Sequence, residues 1–256
     1  MIDPRAIVSP GARLHESVAV GPFSIIDEDV EIGAGTVVGP HVVIRGPTVI
    51  GEENRIFQFA SLGEAPQDKK YAGEPTRLVL GDRNTIREFV TINRGTVQDR
   101  GETTIGDDNW IMAYVHIAHD CVIGNQTILA NAVTLAGHVV VDDWAILGGF
   151  SGAHQFCHIG AHAFLGMQVA AARDVPAYLI VTGNPPEPRG VNQEGLRRRG
   201  FDATQIRNIR EAYKVVYRQQ LRLEEALAEL ERRLPEQPEL GLFVDSLKRS
   251  ERGILR

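Results

Sequence analysis

Aliphatic side chains recur at every sixth position in the first part of the chain. A period of six matches neither the period of about 3.6 of an α-helix nor the alternation of a single long strand. It is typical of a short strand followed by a turn, and three such steps close one coil of 18 residues. Stacked coils pair their strands, so the pattern predicts a mainly β protein built as a parallel β-helix of hexapeptide repeats. The first ten positions are Val8, Leu14, Val20, Ile26, Ile32, Val38, Ile44, Ile50, Ile56 and Leu62.

The pattern is interrupted twice and then returns. Leu80 lies 18 positions after Leu62, which predicts that segment 63–79 replaces two repeats and keeps the register. The second interruption lies between Ile92 and Ile105, which are 13 positions apart. This spacing is one residue more than two repeats, so the later repeat positions are shifted by one. Polar residues fill segment 63–79, so we expect an excursion over the surface, where binding groups often lie. The later positions are Leu80, Ile86, Ile92, Ile105, Ile111, Ile117, Ile123, Leu129, Leu135, Val141, Leu147, Ala153, Ile159, Leu165 and Ala171.

A small or β-branched residue stands two positions before most of these aliphatic residues. Residues two apart on a strand point to the same side, so this second set is expected to face inward as well. The two cysteines, Cys121 and Cys157, take this place. They are therefore predicted to fill the core and not to form a disulfide framework.

The periodicity stops after Ala171, which predicts a division of the chain. We assign residues 1–183 to the β-helix and residues 184–256 to an α-helical C-terminal domain. Asp202 is placed as an N-cap with Gln205 three residues on, the pattern of a capping box. A further helix is expected over 223–234 and one more after Pro238. This tail would cover the open end of the β-helix.

Charge and composition narrow the possible partners. The formal net charge is −6, which argues against nucleic-acid binding by the whole chain. No apolar run reaches the about 18 residues of a membrane helix, and the N-terminus has no signal-peptide pattern, so a cytoplasmic protein is expected. Residues 189–218 carry eight Arg or Lys and three Asp or Glu. This basic segment indicates either a local anionic partner or a solvated helix face.

Six of the eight histidines fall between residues 116 and 162. We expect His158 and His162 to be surface turn residues. The unbroken register places His119 under Gly137 with Gln155 above, and Asp120 under His138, in coils about 4.8 Å apart. A histidine base, a carboxylate that orients it and a backbone N–H are the groups that acyl transfer requires. The histidine pKa, about 6.5 when unperturbed, suits the removal of a hydroxyl proton.

The chain resembles the UDP-N-acetylglucosamine O-acyltransferases, which begin lipid A synthesis, and the resemblance extends over essentially the whole sequence. It rests on Gln67-Asp68, Lys70-Tyr71-Ala72-Gly73-Glu74-Pro75-Thr76-Arg77, Arg94-Gly95-Thr96, His116-Ile117-Ala118-His119-Asp120, Leu135-Ala136-Gly137-His138, His154-Gln155-Phe156 and Asn192-Gln193-Glu194-Gly195-Leu196-Arg197-Arg198-Arg199-Gly200.

The resemblance implies a left-handed β-helix and a homotrimer with its active sites between subunits. It implies transfer of an (R)-3-hydroxyacyl group to the 3-hydroxyl of UDP-N-acetylglucosamine. The donor would be acyl carrier protein bearing phosphopantetheine, with no metal or cofactor held by the enzyme. The basic segment 189–218 would help to hold this acidic carrier protein.

The same resemblance assigns roles to individual residues. His119 would be the general base, Asp120 its orienting partner and Gly137 the oxyanion donor. The cleft would be lined by Gln67, Asp68, Lys70, His116, His138, His154 and Gln155. The nucleotide would be contacted by Asn192, Glu194 and Arg198.

Two positions depart from the family pattern. Asn93 stands where the family usually has histidine, and asparagine cannot carry charge, so contact with the sugar nucleotide there would differ. Met167 stands where some relatives have glycine at the floor of the acyl groove. The larger side chain predicts a shorter acyl preference, nearer ten carbons than fourteen.

Other functions remain open on the same fold. The first is an acyltransferase acting on a different sugar nucleotide. The second is a zinc hydratase, because some hexapeptide β-helices hold a metal through three histidines. The third is a structural β-helix, which would show flat rows of threonine on one face, and the histidine coils have no such rows.

Overall fold

The computed structural model describes residues 1–256 and contains 27 strands, five helices and the turns between them. The first nine strands are β1 (Ile7–Val8), β2 (Arg13–Leu14), β3 (Ala19–Val20), β4 (Ile25–Ile26), β5 (Val30–Ile32), β6 (Val37–Val38), β7 (Val43–Ile44), β8 (Thr48–Ile50) and β9 (Arg55–Ile56). The next nine are β10 (Ser61–Glu64), β11 (Arg77–Leu80), β12 (Thr85–Ile86), β13 (Thr91–Asn93), β14 (Glu102–Ile105), β15 (Trp110–Ile111), β16 (His116–Ile117), β17 (Val122–Ile123) and β18 (Ile128–Leu129). The last nine are β19 (Thr134–Leu135), β20 (Val140–Val141), β21 (Ile146–Leu147), β22 (Gly152–Ala153), β23 (His158–Ile159), β24 (Phe164–Leu165), β25 (Ala170–Ala171), β26 (Leu179–Thr182) and β27 (Glu187–Val191).

Successive strands join three different sheets in turn, which makes the predicted parallel β-helix with left-handed coils. The first sheet contains β1 and every third strand to β25, and the second runs in the same way from β2 to β23. The third runs from β3 to β24 and ends with β26 and the antiparallel β27. We call the turns from the first to the second sheet the first corner, those from the second to the third sheet the second corner, and those from the third to the first sheet the third corner.

The repeat positions face inward, as the sequence predicted. A core of 59 buried residues runs the length of the molecule and continues into the helices. The smaller inward residues are also buried, among them Ser24 and Thr36. Cys121 and Cys157 are both buried free thiols within this core. Burial raises the pKa of Cys121 to about 12 and that of Cys157 to about 11.

The prediction that segment 63–79 replaces two repeats is wrong. β10 and β11 lie in adjacent sheets, so the extra residues are inserted at the first corner and no repeat is lost. The strands extend to Glu64 and resume at Arg77, which leaves residues 65–76 as the first corner loop. The spacing of 18 residues between Leu62 and Leu80 equals one full coil, so the insertion has the same sequence signature as an intact register.

The prediction that the second interruption adds a single residue is also wrong. β13 and β14 lie in adjacent sheets, yet Ile92 and Ile105 are 13 positions apart where the repeat has six. The first corner therefore holds a second insertion, residues 94–101, which we call the second corner loop. Because of the insertions, neighbouring coils pair at offsets of 30 residues, as for Asn54 and Asn84, or 25, as for Thr91 and His116.

The C-terminal part is helical, as predicted. Its helices are α1 (Gln193–Arg198), α2 (Ala203–Arg218), α3 (Leu223–Arg233), a 3₁₀ helix (Pro238–Leu240) and α4 (Gly241–Lys248). The capping box of Asp202 and Gln205 opens α2. The division after residue 183 stays a prediction, and β27 lies beyond it. None of the helices is both long and apolar enough to cross a membrane.

The helices cover the second corner of the last coils. His162 stacks between Trp144 and Tyr178, and the Phe201 ring meets it edge-on. The Asn192 Nδ2 donates to the His162 carbonyl at 3.0 Å. His162 is 6% exposed, so its expected place in a surface turn was wrong. The helices that bury it could not be located from the repeat.

His158 was also expected in a surface turn, and this too was wrong. It lies on β23, with its Nε2 2.8 Å from the Asp142 carboxylate.

Replacement of His162 by phenylalanine should remove part of the acid sensitivity of the fold. Burial, and then the charge of Arg199, lowers the His162 pKa to about 4. Between about pH 6.5 and about pH 4 the unfolded chain binds this proton and the folded chain does not, so stability falls as pH falls. Phenylalanine cannot titrate, and it already occupies the same left-handed conformation at Phe150 and Phe156.

We expect His162→Phe to retain about 3 kcal/mol more of its neutral-pH unfolding free energy at pH 4 than wild type does. Urea unfolding at pH 7 and pH 4 measures this difference. Equal losses in the two proteins would contradict the assignment.

Candidate active site

A histidine and a carboxylate form a buried pair at the first corner. The His119 Nδ1 lies 2.8 Å from the Asp120 Oδ2. The two side chains are 8% and 0% exposed. A carboxylate accepts only, so Nδ1 carries the proton and Nε2 is left as the basic nitrogen. Asp120 has a φ of 59° and its backbone N–H donates to the Thr103 Oγ1 at 2.8 Å, which fixes the turn.

The second corner loop holds this carboxylate in place. The Thr96 N–H donates to the Asp120 Oδ1 at 2.9 Å, and the Thr96 hydroxyl donates to Oδ2 at 2.6 Å. Asp120 is therefore fixed by three donors, two of them from Thr96. Thr96 was not predicted as a site residue, because the insertion shifts the repeat by only one position and so resembles a small irregularity. The 13-residue gap between Ile92 and Ile105 was the available signal.

His138 lies one coil beyond Asp120, as the register predicted. Its N–H donates to the His119 carbonyl at 3.0 Å. Its ring stacks on Phe156 at 4.4 Å and meets the His119 ring edge-on at 5.0 Å. Its Nδ1 lies 2.7 Å from the carboxylate of Asp99, a residue of the second corner loop that was not predicted as part of the site.

Gly137 gives the His119 ring the space that it occupies. A Cβ atom on residue 137 would lie 2.6 Å from Cε1 and 2.7 Å from Nε2 of His119. Real Cβ atoms do not approach so closely, so any side chain here would displace the imidazole. The Gly137 N–H donates to no protein acceptor, which leaves it free for a ligand.

His116 borders the same corner on β16. Its Nδ1 lies 2.7 Å from the Thr91 hydroxyl. Burial, and then the charge of His119, lowers its pKa below the usual value. A neutral His116 at physiological pH can exchange hydrogen bonds with a ligand without adding charge.

The first corner loop presents the next predicted residues. Gln67 and Lys70 are exposed, and the Lys70 N–H donates to the Asp68 carboxylate at 2.9 Å. Arg94 fastens the two corner loops together. Its Nη1 donates to the Gly63 carbonyl at 2.8 Å, and its Nη2 donates to the Tyr71 hydroxyl at 3.0 Å.

Asn93 is buried beneath the first corner loop. Its Nδ2 donates to the Ala65 carbonyl at 3.0 Å, and its Oδ1 is buried without a hydrogen-bond partner. The expected contact with the sugar nucleotide stays a prediction, because this amide faces the backbone of the loop.

His154 and Gln155 also lie at the first corner, on the far side of His138 from His119. His154 is exposed, and its Nδ1 lies 3.3 Å from the Gln155 carbonyl. The same carbonyl accepts from Arg252 at 2.8 Å, so the C-terminal end of the chain borders this edge of the site.

The predicted nucleotide-binding residues lie elsewhere. Asn192 is buried and caps α1, and its bond to the His162 carbonyl ties it to the second corner. Glu194 and Arg198 are exposed on α1 and pair with each other at 3.0 Å. The structure therefore does not bring these three residues to His119 within one chain.

Met167 lies at the third corner and is 65% exposed. Its role at the floor of an acyl groove stays a prediction.

His119, Asp120 and His138 have ligand atoms within 4.8 Å of one another. They are the residues that could hold a metal ion. Their donor atoms are largely engaged, since Asp120 accepts from Thr96 and His119, and the Nδ1 of His138 faces Asp99. A hydratase centre with three histidine ligands does not fit this arrangement.

The fold and this corner define a class of enzyme, the hexapeptide-repeat transferases. The profile for bacterial transferase hexapeptide repeats matches residues 11–46 and 102–137. The profile for the second domain of UDP-N-acetylglucosamine O-acyltransferase matches residues 174–255.

Relatives match over the full length. An acyl-[acyl-carrier-protein]–UDP-N-acetylglucosamine O-acyltransferase of Ectopseudomonas mendocina is 66% identical, with 100% of this chain and 99% of the relative covered. The UDP-N-acetylglucosamine acyltransferase structure of Francisella novicida has a TM-score of 0.99 at 46% identity, covering 100% of this chain and 94% of that one. The enzyme of Moraxella catarrhalis has a TM-score of 0.98 at 47% identity, covering 100% and 99%. The chain belongs to the UDP-N-acetylglucosamine O-acyltransferase family.

Replacement of Thr96 by valine should destabilise the site measurably. Valine keeps the shape but removes the hydroxyl donor to Asp120, which is fully buried. We expect the unfolding free energy to fall by about 1–3 kcal/mol, the usual cost of a lost hydrogen bond to a buried charged group. Denaturant unfolding measures it. Thr134→Val is the matched control, because Thr134 is exposed and its hydroxyl reaches only the Ala132 carbonyl at 3.5 Å. Equal losses in both variants would contradict the role of Thr96.

Proposed function

We propose that this chain transfers an (R)-3-hydroxyacyl group from acyl carrier protein to the 3-hydroxyl of UDP-N-acetylglucosamine, at the start of lipid A synthesis. The observation that carries the proposal is the buried His119–Asp120 pair, whose free Nε2 is the basic nitrogen. Family membership supplies the substrates, which the names of the relatives state for those proteins.

The His119–Asp120 pair transfers a proton twice during the reaction. His119 Nε2 removes the proton of the sugar hydroxyl as its oxygen attacks the thioester carbonyl carbon. The carbonyl oxygen becomes an oxyanion. When the carbon–sulfur bond breaks, His119 returns the proton to the departing phosphopantetheine thiolate. The products are an ester on the sugar and a free thiol, so no oxidant, reductant or metal is consumed.

Asp120 keeps the His119 imidazole in the required protonation state and orientation through both proton transfers. Its contact with Nδ1 holds the proton there, so that Nε2 is basic in the resting enzyme. It also stabilises the imidazolium that forms after the proton is taken. The two bonds from Thr96 prevent the carboxylate from turning away from His119.

The Gly137 amide is the proposed donor to the oxyanion. It has no protein acceptor, and its residue lies against the His119 ring. A single preorganised donor of this kind can contribute a factor of about 10²–10³ to the rate.

A homotrimer is proposed because, within one chain, the predicted catalytic residues lie apart from the predicted nucleotide-binding residues. The histidines project from the first corner, while Asn192 is tied to the second corner beside His162. Two copies side by side would bring the first corner of one chain against a neighbour, and a third copy would close the ring. In this proposal Gln67, Asp68 and Lys70 of the first corner loop would face such a neighbour, and Gln67 and Lys70 are exposed.

The basic segment 189–218 is the proposed contact for the acidic carrier protein. Arg189, Arg210, Lys214 and Arg218 line one groove between β27 and α2. Clustered positive charge of this kind accelerates encounter with an acidic partner, and added salt weakens the effect. Cytoplasmic location is part of the same proposal, since nucleotide sugars and acyl carrier proteins are cytoplasmic substrates.

Removal of the proposed base should abolish the transfer. We expect His119→Ala to lower kcat by a factor on the order of 10²–10⁴, because general-base catalysis contributes that much. Transfer to UDP-N-acetylglucosamine from (R)-3-hydroxyacyl carrier protein is the assay. His15→Ala is the control, since His15 is an exposed histidine on an early coil. Wild-type rates in His119→Ala would contradict the mechanism, and no transfer by folded wild type would contradict the function.

Met167 is proposed to shorten the preferred acyl chain. We expect wild type to favour ten-carbon donors over fourteen-carbon donors, and Met167→Gly to shift the preference towards fourteen, because glycine removes the side chain from the floor of the groove. Competition between carrier proteins of ten, twelve and fourteen carbons measures the ratio. Gln168→Ala at the same corner is the control. A fourteen-carbon preference that Met167→Gly leaves unchanged would refute this.

A further inference from the structure

The second corner loop supplies a second carboxylate to the histidine cluster. The Asp99 Oδ2 lies 2.7 Å from the His138 Nδ1. The Oδ2 of Asp120 lies 3.9 Å from the same nitrogen. His138 Nδ1 therefore stands between two carboxylates, and it bonds to the one that the loop provides.

The alternative partner has little capacity left. Asp120 Oδ2 already accepts from the Thr96 hydroxyl at 2.6 Å and from the His119 Nδ1 at 2.8 Å. A carboxylate oxygen has two lone pairs, so a third donor would have to compete with one of these bonds. The bond from the Thr96 hydroxyl is short, and Thr96 is also held by its backbone N–H, which donates to the Asp120 Oδ1. The His119 bond is therefore the one exposed to competition.

The His138 ring cannot easily avoid that competition by moving. One of its faces stacks on Phe156, and its own N–H is bonded to the His119 carbonyl. Residue 138 has a φ of 64°, a backbone conformation that the corner imposes. If Asp99 were absent, the ring would remain beside Asp120 with an unpartnered Nδ1–H.

We propose that Asp99 is a positioning residue for the acyl transfer. It accepts the hydrogen bond from the His138 Nδ1–H. Among the histidines, only His119 then donates to Asp120. Asp99 also fixes the His138 tautomer, and the Nε2 of His138, which has no protein partner, remains available to substrate. The kinetic test of this inference rests on the proposed function. The NMR test depends only on the contacts between the side chains.

The kinetic test compares Asp99→Ala with Gln98→Ala, because Gln98 is an exposed neighbour in the same loop. We expect Asp99→Ala to lower kcat by about tenfold, as for loss of one charge-assisted hydrogen bond. We expect Gln98→Ala to match wild type and Asp99→Glu to recover part of the loss.

A double-mutant cycle tests whether Asp99 acts through His138. His138→Phe removes the competing Nδ1–H and keeps the stacked ring, because Phe156 holds the same corner conformation one coil away. In this background Asp99→Ala should have no further effect. A tenfold loss that persists there would overturn the proposal, as would wild-type activity of Asp99→Ala.

Nitrogen-15 NMR of labelled histidines gives a readout independent of activity. Wild type should show a protonated Nδ1 signal that disappears in His138→Phe and is thereby assigned. Asp99→Ala should shift this signal and also that of His119. Unchanged imidazole signals in Asp99→Ala would overturn the proposal even if its activity fell. Failure of the proposed function would instead appear as inactive wild type with the expected NMR shifts.

Discussion

Each coil of this molecule satisfies its backbone hydrogen bonds by pairing with the coils above and below. Parallel pairing holds residues at the same place in successive coils in contact, as with Ile117 and Leu135 or Val122 and Val140. The inward residues must then fill one continuous core, so an error of a single position would bury polar groups. The axial register is the constraint on which the site depends, because it alone brings Gly137 against His119 and His138 against Asp120.

The two insertions add polar side chains of the site to a repetitive scaffold. Both corner loops leave the β-helix at the first corner, where the core is unaffected by their length. The second corner loop returns Thr96 to Asp120 and Asp99 to His138, and Arg94 links it to the first corner loop through Tyr71. The buried carboxylate is stable because these donors satisfy it, since an unpaired buried charge is costly. The reactive groups are thus held by a rigid corner on one side and a short loop on the other.

Much of the architecture could be predicted from the sequence, since period six has a single structural meaning over so many repeats. The inward faces, the buried cysteines and the stacking of His119 under Gly137 followed from register alone. The insertions could not be located in the same way, because a periodicity gives spacing but does not say which sheet the chain enters next. Thr96, Asp99 and the buried His162 were missed for that reason: their partners lie 24, 39 and 30 positions away, across loops and helices outside the repeat.

The proposed mechanism requires His119, held by Asp120, to be the base that activates the sugar hydroxyl. The most direct measurement is a crystal structure of the chain with UDP-N-acetylglucosamine bound. We expect the 3-hydroxyl oxygen to lie within about 2.6–3.2 Å of the His119 Nε2, with the His119 Nδ1 still bonded to Asp120. A bound sugar whose 3-hydroxyl faces a different base, with the His119 Nε2 out of reach, would contradict it.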